Sequence, residues 1–171
     1  LSIRRQRQMC IRDRNGDVVH MTSYAPLLAK ERHTQWNPDL IYFNNREVKP
    51  TTGYYVQKLY GQNAGNEYLP SKIVLDNKDD KVRKRFASSI VRDSVSGDVI
   101  VKLVNLLPVE VNTNVDLSGI GAVQPSAKRT VLTGKPTDTP LPVEDRIQIA
   151  EKFDCNLPAY SFTVIRIQKA N

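Results

Sequence analysis

The strictest alternation in the chain runs from Val109 to Leu117, where Val109, Val111, Thr113, Val115 and Leu117 are separated by Glu110, Asn112, Asn114 and Asp116. A period of two over nine residues predicts a strand with one face in a core and the other in water. Phe86 to Arg92 and Asp98 to Asn105 flank Ser94 to Gly97, which predicts a hairpin. Further strands are expected at Ser71 to Leu75, Lys128 to Thr133, Arg146 to Ala150 and Tyr160 to Gln168, with Pro136, Pro140 and Pro142 in the connections. Short strands separated by Pro-rich and Gly-rich turns indicate an antiparallel sandwich.

Before Gly61 the pattern is different. Asn37-Pro38-Asp39 reads as a turn, Leu40 to Phe43 as a short apolar strand, and Gly53 to Tyr60 as a helix whose apolar stripe is Tyr55, Val56, Leu59 and Tyr60. Thr52 is placed to cap that helix, and Gly61 to end it in a left-handed conformation. Val18, Met21, Ala25 and Leu28 recur at helical spacing, so Asp17 to Leu28 is expected to be helical until Pro26 interrupts it; Ala29 to Gln35 is charged and reads as a surface loop. One strand and one helix cannot close a core, so this stretch reads as the last unit of something larger. A polar linker, Gln62 to Gly65, then leads into the strand-rich part. The mixed charges of Asp76 to Arg85 read as a solvated turn.

Composition adds limits. With 171 residues, 40% hydrophobic and 25% charged, the chain has room for one domain, or one small domain and part of another, and no apolar run approaches the roughly 20 residues a membrane helix needs. The formal charge of +7 is concentrated at the start: Leu1 to Arg14 holds five arginines against one aspartate. That opening has no start methionine and no apolar core of a leader, and it resembles translated adapter-derived ends of assembled sequence data, so it is expected to be a foreign scar outside the fold. The alternative is a basic arm that tracks phosphates. Elsewhere Lys81, Arg83, Lys84 and Arg85 are offset by Asp76, Asp79 and Asp80, a poor patch for nucleic acid. Cys10 lies in the opening, leaving Cys155 alone, and His20 and His33 have no triad-like or metal-ligand context. No cofactor motif appears.

The residues SYAPLLAKERHTQWNPDLIYFNN, at 23–45, followed by YYVQKLYG, at 54–61, resemble the end of the catalytic barrel in alpha-L-arabinofuranosidases of glycoside hydrolase family 51. The strand-rich remainder is similar to the C-terminal domain of the same family. The resemblance implies a mainly β chain: an antiparallel, jelly-roll-like β-sandwich over residues 64–171, preceded over residues 15–63 by the last strand–helix unit of a (β/α)8 barrel. It also implies a retaining hydrolase that releases terminal L-arabinofuranosyl groups from arabinose-containing polysaccharides, using two glutamates held roughly 5 Å apart on barrel strands upstream of this region. On that reading no catalytic residue lies in this chain, and the fragment by itself is inactive. Family members are often oligomeric. Whether the intact protein is secreted or periplasmic is not written in these residues.

In such a barrel the loop after the strand at Leu40 to Phe43 faces substrate. Asn44, Asn45, Thr51 and Thr52 are sugar-hydroxyl partners in type, Tyr54 could form an apolar wall, and Trp36 could line the cleft. Ordinary structural roles are open for each: turn formation for the asparagines, a helix cap for Thr52, packing for Tyr54, a loop anchor for Trp36. Some relatives place a sugar-contacting glutamine near the Thr51 position, and this sequence has none there. Gly65-Asn66-Glu67 looks like the motif carrying the acid/base in related barrel enzymes, but no apolar run precedes it, so it reads as a linker turn. A stand-alone carbohydrate-binding or interaction module is the other reading of the sandwich. It would need exposed aromatics, and after Tyr68 only Phe86, Phe153, Tyr160 and Phe162 are available.

Overall fold

The computed structural model describes residues 10–134, 138 and 140–170. Residues 1–9 and the connection at Pro136 lie outside the described residues. The fold is built on a six-stranded antiparallel sheet in the order β4-β5-β6-β11-β8-β9, with β4 at Glu67–Leu69, β5 at Phe86–Arg92, β6 at Val99–Asn105, β8 at Val123–Thr133, β9 at Val143–Gln148 and β11 at Ser161–Lys169. A two-stranded antiparallel sheet, β7 (Val111–Asp116) with β10 (Lys152–Leu157), forms the second layer of a sandwich. Ahead of both come β1 (Leu28–Lys30), β2 (Ile41–Phe43), β3 (Val48–Pro50) and the helix α1 (Thr52–Gln62).

The central strands explain the layering. β6 reads VIVKLVN and β11 reads SFTVIRIQK, with hydrophobic residues pointing both ways, which is stable only where both faces are covered. Val99, Val101, Ile165 and Ile167 pack with Val115, Phe153, Cys155 and Leu157 of the two-stranded layer. Ile100, Val104, Phe162 and Val164 pack on the opposite face with Val56, Leu59 and Tyr60 of α1. The Tyr60 ring is 1% exposed and stacks on Phe162, centroids 4.7 Å apart and planes 4° from parallel. The helix is therefore a roof over one face of the sandwich, and packing is continuous across the expected boundary at residues 63 and 64.

Several expectations are met and several corrected. The hairpin β5–β6 and the strands at β7 and β11 lie where the sequence places them. Asp17 to Leu28 is not a helix, and only β1 is regular there; Val18 and Met21 are 69% and 86% exposed, so their stripe has no surface to pack against. Ser71 to Leu75 is irregular, with Val74 in solvent. Thr52 lies inside the helix rather than capping it, and Thr51 occupies the cap position without a side-chain cap bond. Gly61 sits within the last turn, and the end is closed by Asn63, whose backbone N–H reaches Leu59 and Tyr60 carbonyls and whose side-chain amide donates to Leu59 O at 2.9 Å.

The opening residues are the largest correction. Residues 10–14 form a helical turn seated beside α1, with Cys10 5% exposed and its Sγ 3.0 Å from the Tyr60 hydroxyl, so this part of the opening does not stand outside the fold. A short helix, α2 (Asp80–Arg83), interrupts the mixed charge run, with Asp79 accepting the Lys81 N–H at its start.

Because Tyr60 joins α1 to the sheet, Tyr60→Ala is expected to destabilise the chain by about 3–5 kcal/mol. A urea unfolding midpoint within error of the parent protein would show that the roof carries no such burden.

Candidate functional site

β1 and β2 are parallel, pairing Leu28 with Ile41 and Lys30 with Phe43, and β2 then turns back through residues 44–47 into antiparallel β3. At the C-terminal ends of the parallel pair the chain gathers four polar side chains. Glu31 follows β1, and its N–H donates to Phe43 O at 2.9 Å. The Asn44 side-chain amide donates to Glu31 Oε2 at 2.8 Å and to Glu47 Oε1 at 3.3 Å, while its Oδ1 accepts the Arg46 and Glu47 N–H groups at 2.8 and 3.0 Å. Lys49 Nζ lies 2.8 Å from Glu31 and 2.9 Å from Glu47. The short turn follows from Asn44, whose carbonyl oxygen satisfies the backbone donors left open by the reversal.

The other candidate residues are elsewhere. β3 runs antiparallel to β2 and pairs Pro50 with Ile41, so Thr51 and Thr52 lie at the opposite end of the strand from Asn44. That separation is about 10 Å for three strand residues. The Thr51 hydroxyl is buried and donates to Leu40 O at 2.8 Å, and the buried Thr52 hydroxyl donates to Asp138 O at 3.1 Å. The Tyr54 ring meets Tyr55 edge-on at 5.2 Å. Trp36, 69% exposed, sits on a loop held by Thr34, whose hydroxyl accepts the Trp36 N–H at 3.1 Å and lies 3.0 Å from Asp39 Oδ2. Asn45 is exposed in the β2–β3 turn. The structure thus brings Asn44 and Asn45 together and leaves Thr51, Thr52 and Tyr54 away from them, with Trp36 on the loop between β1 and β2.

Glu67 opens the edge strand β4, half exposed, and pairs with Arg92 at 3.2 Å. Asn66 donates to Ser94 Oγ at 2.6 Å, and Gly65 has φ +62 with room for no side chain, since a Cβ there would meet Val91 Cγ2 at 2.6 Å. The segment serves as a junction onto the β5–β6 hairpin.

Lys49, and after it Asn44, hold the carboxyls of Glu31 and Glu47 below the usual glutamate range, and the two glutamates raise Lys49 in return. A glycosidic general acid needs the opposite environment, one that keeps its proton at working pH. This cluster can accept hydrogen bonds from hydroxyl groups; it is not built to donate a proton. Among the described residues no group of three or more His, Cys, Asp or Glu side chains is placed to hold a metal ion. Two open grooves, of about 450 and 370 Å³, lie on the sandwich, and none of the six candidate residues lines either.

Residues 8–163 match the family model described as the alpha-L-arabinofuranosidase C-terminal domain. The chain belongs to this family. It is 31% identical over 163 residues to alpha-L-arabinofuranosidase 2 of Arabidopsis thaliana, covering 88% of this chain and 23% of that protein. Over 60 residues it is 53% identical to an extracellular exo-alpha-L-arabinofuranosidase of Streptomyces chartreusis, covering 35% of this chain and 7% of that one. Among solved structures, the arabinose-bound MgGH51 alpha-L-arabinofuranosidase superposes with a TM-score of 0.85 at 29% identity, covering 99% of this chain and 27% of that one. The chain spans about a quarter or less of the length of these relatives. The mainly β fold and the resemblance to the C-terminal region of family 51 arabinofuranosidases therefore stand.

Glu31, Glu47 and Lys49 escaped sequence reasoning because Ala29 to Gln35 reads as loop and the alternation of Val48 and Pro50 around Lys49 is too short to announce β3. Replacing Lys49 by Met is expected to raise the titration of both glutamates toward the ordinary value near 4.3, followed by carboxyl carbon shifts against pH. Their folded-state values lie below those of the unfolded chain. Their contribution to stability is thus present above the unfolded value and is lost as pH falls through the folded one, so the variant should lose less stability between roughly pH 5 and 3. Unmoved glutamate titrations would show that the lysine is not the cause.

Proposed function

We propose that this domain is the C-terminal region of a retaining alpha-L-arabinofuranosidase that releases terminal L-arabinofuranosyl groups from arabinose-containing polysaccharides, with its catalytic carboxylates outside these 171 residues. The observation that carries the reading is the parallel pair β1–β2. Parallel strands occur where both faces are covered, yet Leu27 and Leu28 are 51% and 58% exposed. Further barrel strands beside β1 would cover them, making residues 15–63 the closing unit of a (β/α)8 barrel and α1 the element shared between barrel and sandwich.

In a (β/α)8 barrel, substrate binds at the C-terminal ends of the strands. On that geometry Asn44 and Asn45 are the substrate-side pair, and the Glu31–Lys49–Glu47 cluster keeps Asn44 in place. Thr51, Thr52 and Tyr54, at the other end, shape how α1 meets the strands, and Trp36 stands on the loop that precedes β2. Likeness to an extracellular Streptomyces enzyme supports secretion of the intact protein. A sugar-binding module acting alone is the weaker reading, since Phe153 and Phe162 are in the core and, among the described residues after Tyr68, only Tyr160 is a large aromatic exposed beyond a third.

The purified chain is expected to leave an aryl alpha-L-arabinofuranoside intact, whereas the gene product extended upstream through a barrel should hydrolyse it. Turnover by the 171-residue chain alone would overturn the assignment.

A further inference from the structure

The face of the sheet beneath α1 carries a fully buried lysine. Lys102 on β6 points the same way as Ile100 and Val104, and its side chain is 0% exposed. Its Nζ lies 2.6 Å from Asp13 Oδ2 of the helical turn at residues 10–14. Ser89, the register partner of Lys102 on β5, donates its hydroxyl to the same oxygen at 2.7 Å. The Tyr60 ring closes the third side, its centroid 4.9 Å from Nζ. Arg14 reaches Ser88 O at 3.5 Å, and Cys10 meets the Tyr60 hydroxyl, so the turn is fixed at three points. Burial lowers the lysine from its ordinary value, and Asp13 opposes that shift.

Three of these groups, Lys102, Ser89 and Tyr60, belong to the sheet and its roof; the carboxylate does not. The turn that bears it is joined to β1 by irregular residues 15–27, where Val18 and Met21 stand in solvent, so the contact is the docking of a tethered peptide. A buried ammonium left without a partner of opposite charge is strongly destabilising. We propose that Lys102, Ser89 and Tyr60 form a recognition pocket for a single carboxylate, and that its partner is a helical turn bearing one aspartate, supplied in this chain by residues 10–14 through Asp13. The inference is independent of the enzymatic reading.

The test uses the full chain. D13A removes the carboxylate and leaves space between Lys102 Nζ and Ser89 Oγ for formate. Thermal melts in formate and in chloride at equal ionic strength are compared for the parent, D13A and the double variant D13A/K102M. Formate at ten times its dissociation constant should raise the folded-to-unfolded ratio of D13A about tenfold. It should not change the parent or the double variant. If D13A is unfolded in chloride, refolding on addition of formate is the same readout. Tryptic cleavage after Arg14 should also be at least about tenfold faster in D13A than in the parent, because the turn has lost its anchor. A formate response in D13A no larger than in D13A/K102M, or unchanged cleavage after Arg14, would overturn the proposal.

Discussion

The architecture depends on the two-sided hydrophobic character of β6 and β11. Strands of this kind cannot border water on either face, so a single sheet is insufficient and two covers are required. β7 and β10 supply one and α1 the other. Burying an aromatic side chain contributes on the order of 1.5–3 kcal/mol, and Tyr60 does so while stacking on Phe162, which makes the helix integral to the sandwich even though it enters from the strand–helix stretch.

The same demand explains what could be read from residues alone. β7 alternates strictly because one of its faces is wet, and the β5–β6 hairpin is announced by Ser94 to Gly97; both are legible. β10 also alternates, with Phe153, Cys155 and Leu157 inward, but over six residues ending beside Pro158 it does not stand out. Val18 and Met21 carry helical spacing without any surface to bury it, and Ser71 to Leu75 carries apolar residues without a partner strand. Periodicity reports what a segment could bury; whether a neighbour is there to receive it is a tertiary fact. Residues 10–14 invert the lesson, since their arginine-rich context hides a buried aspartate whose significance depends on Lys102, 89 positions away.

The polar cluster at the strand ends shows why candidate residues scatter. The loop expected after the strand at Leu40 to Phe43 contains a strand of its own, and β3 carries its second half back to the level of Leu40. Asn44 is legible as a turn former because its amide chemistry is local. Glu31 and Lys49 are not, because their pairing joins segments 18 residues apart in the chain.

The outermost strands of the six-stranded sheet have a consequence of their own. At one margin β4 is three residues long, and at the other β9 carries Glu144, Asp145 and Arg146 with their side chains in solvent. A second molecule extending the hydrogen-bond ladder at β4 would find too few backbone partners, and one approaching β9 would have to desolvate closely spaced ionised groups. Lateral growth of the six-stranded sheet from molecule to molecule is thereby opposed at both ends.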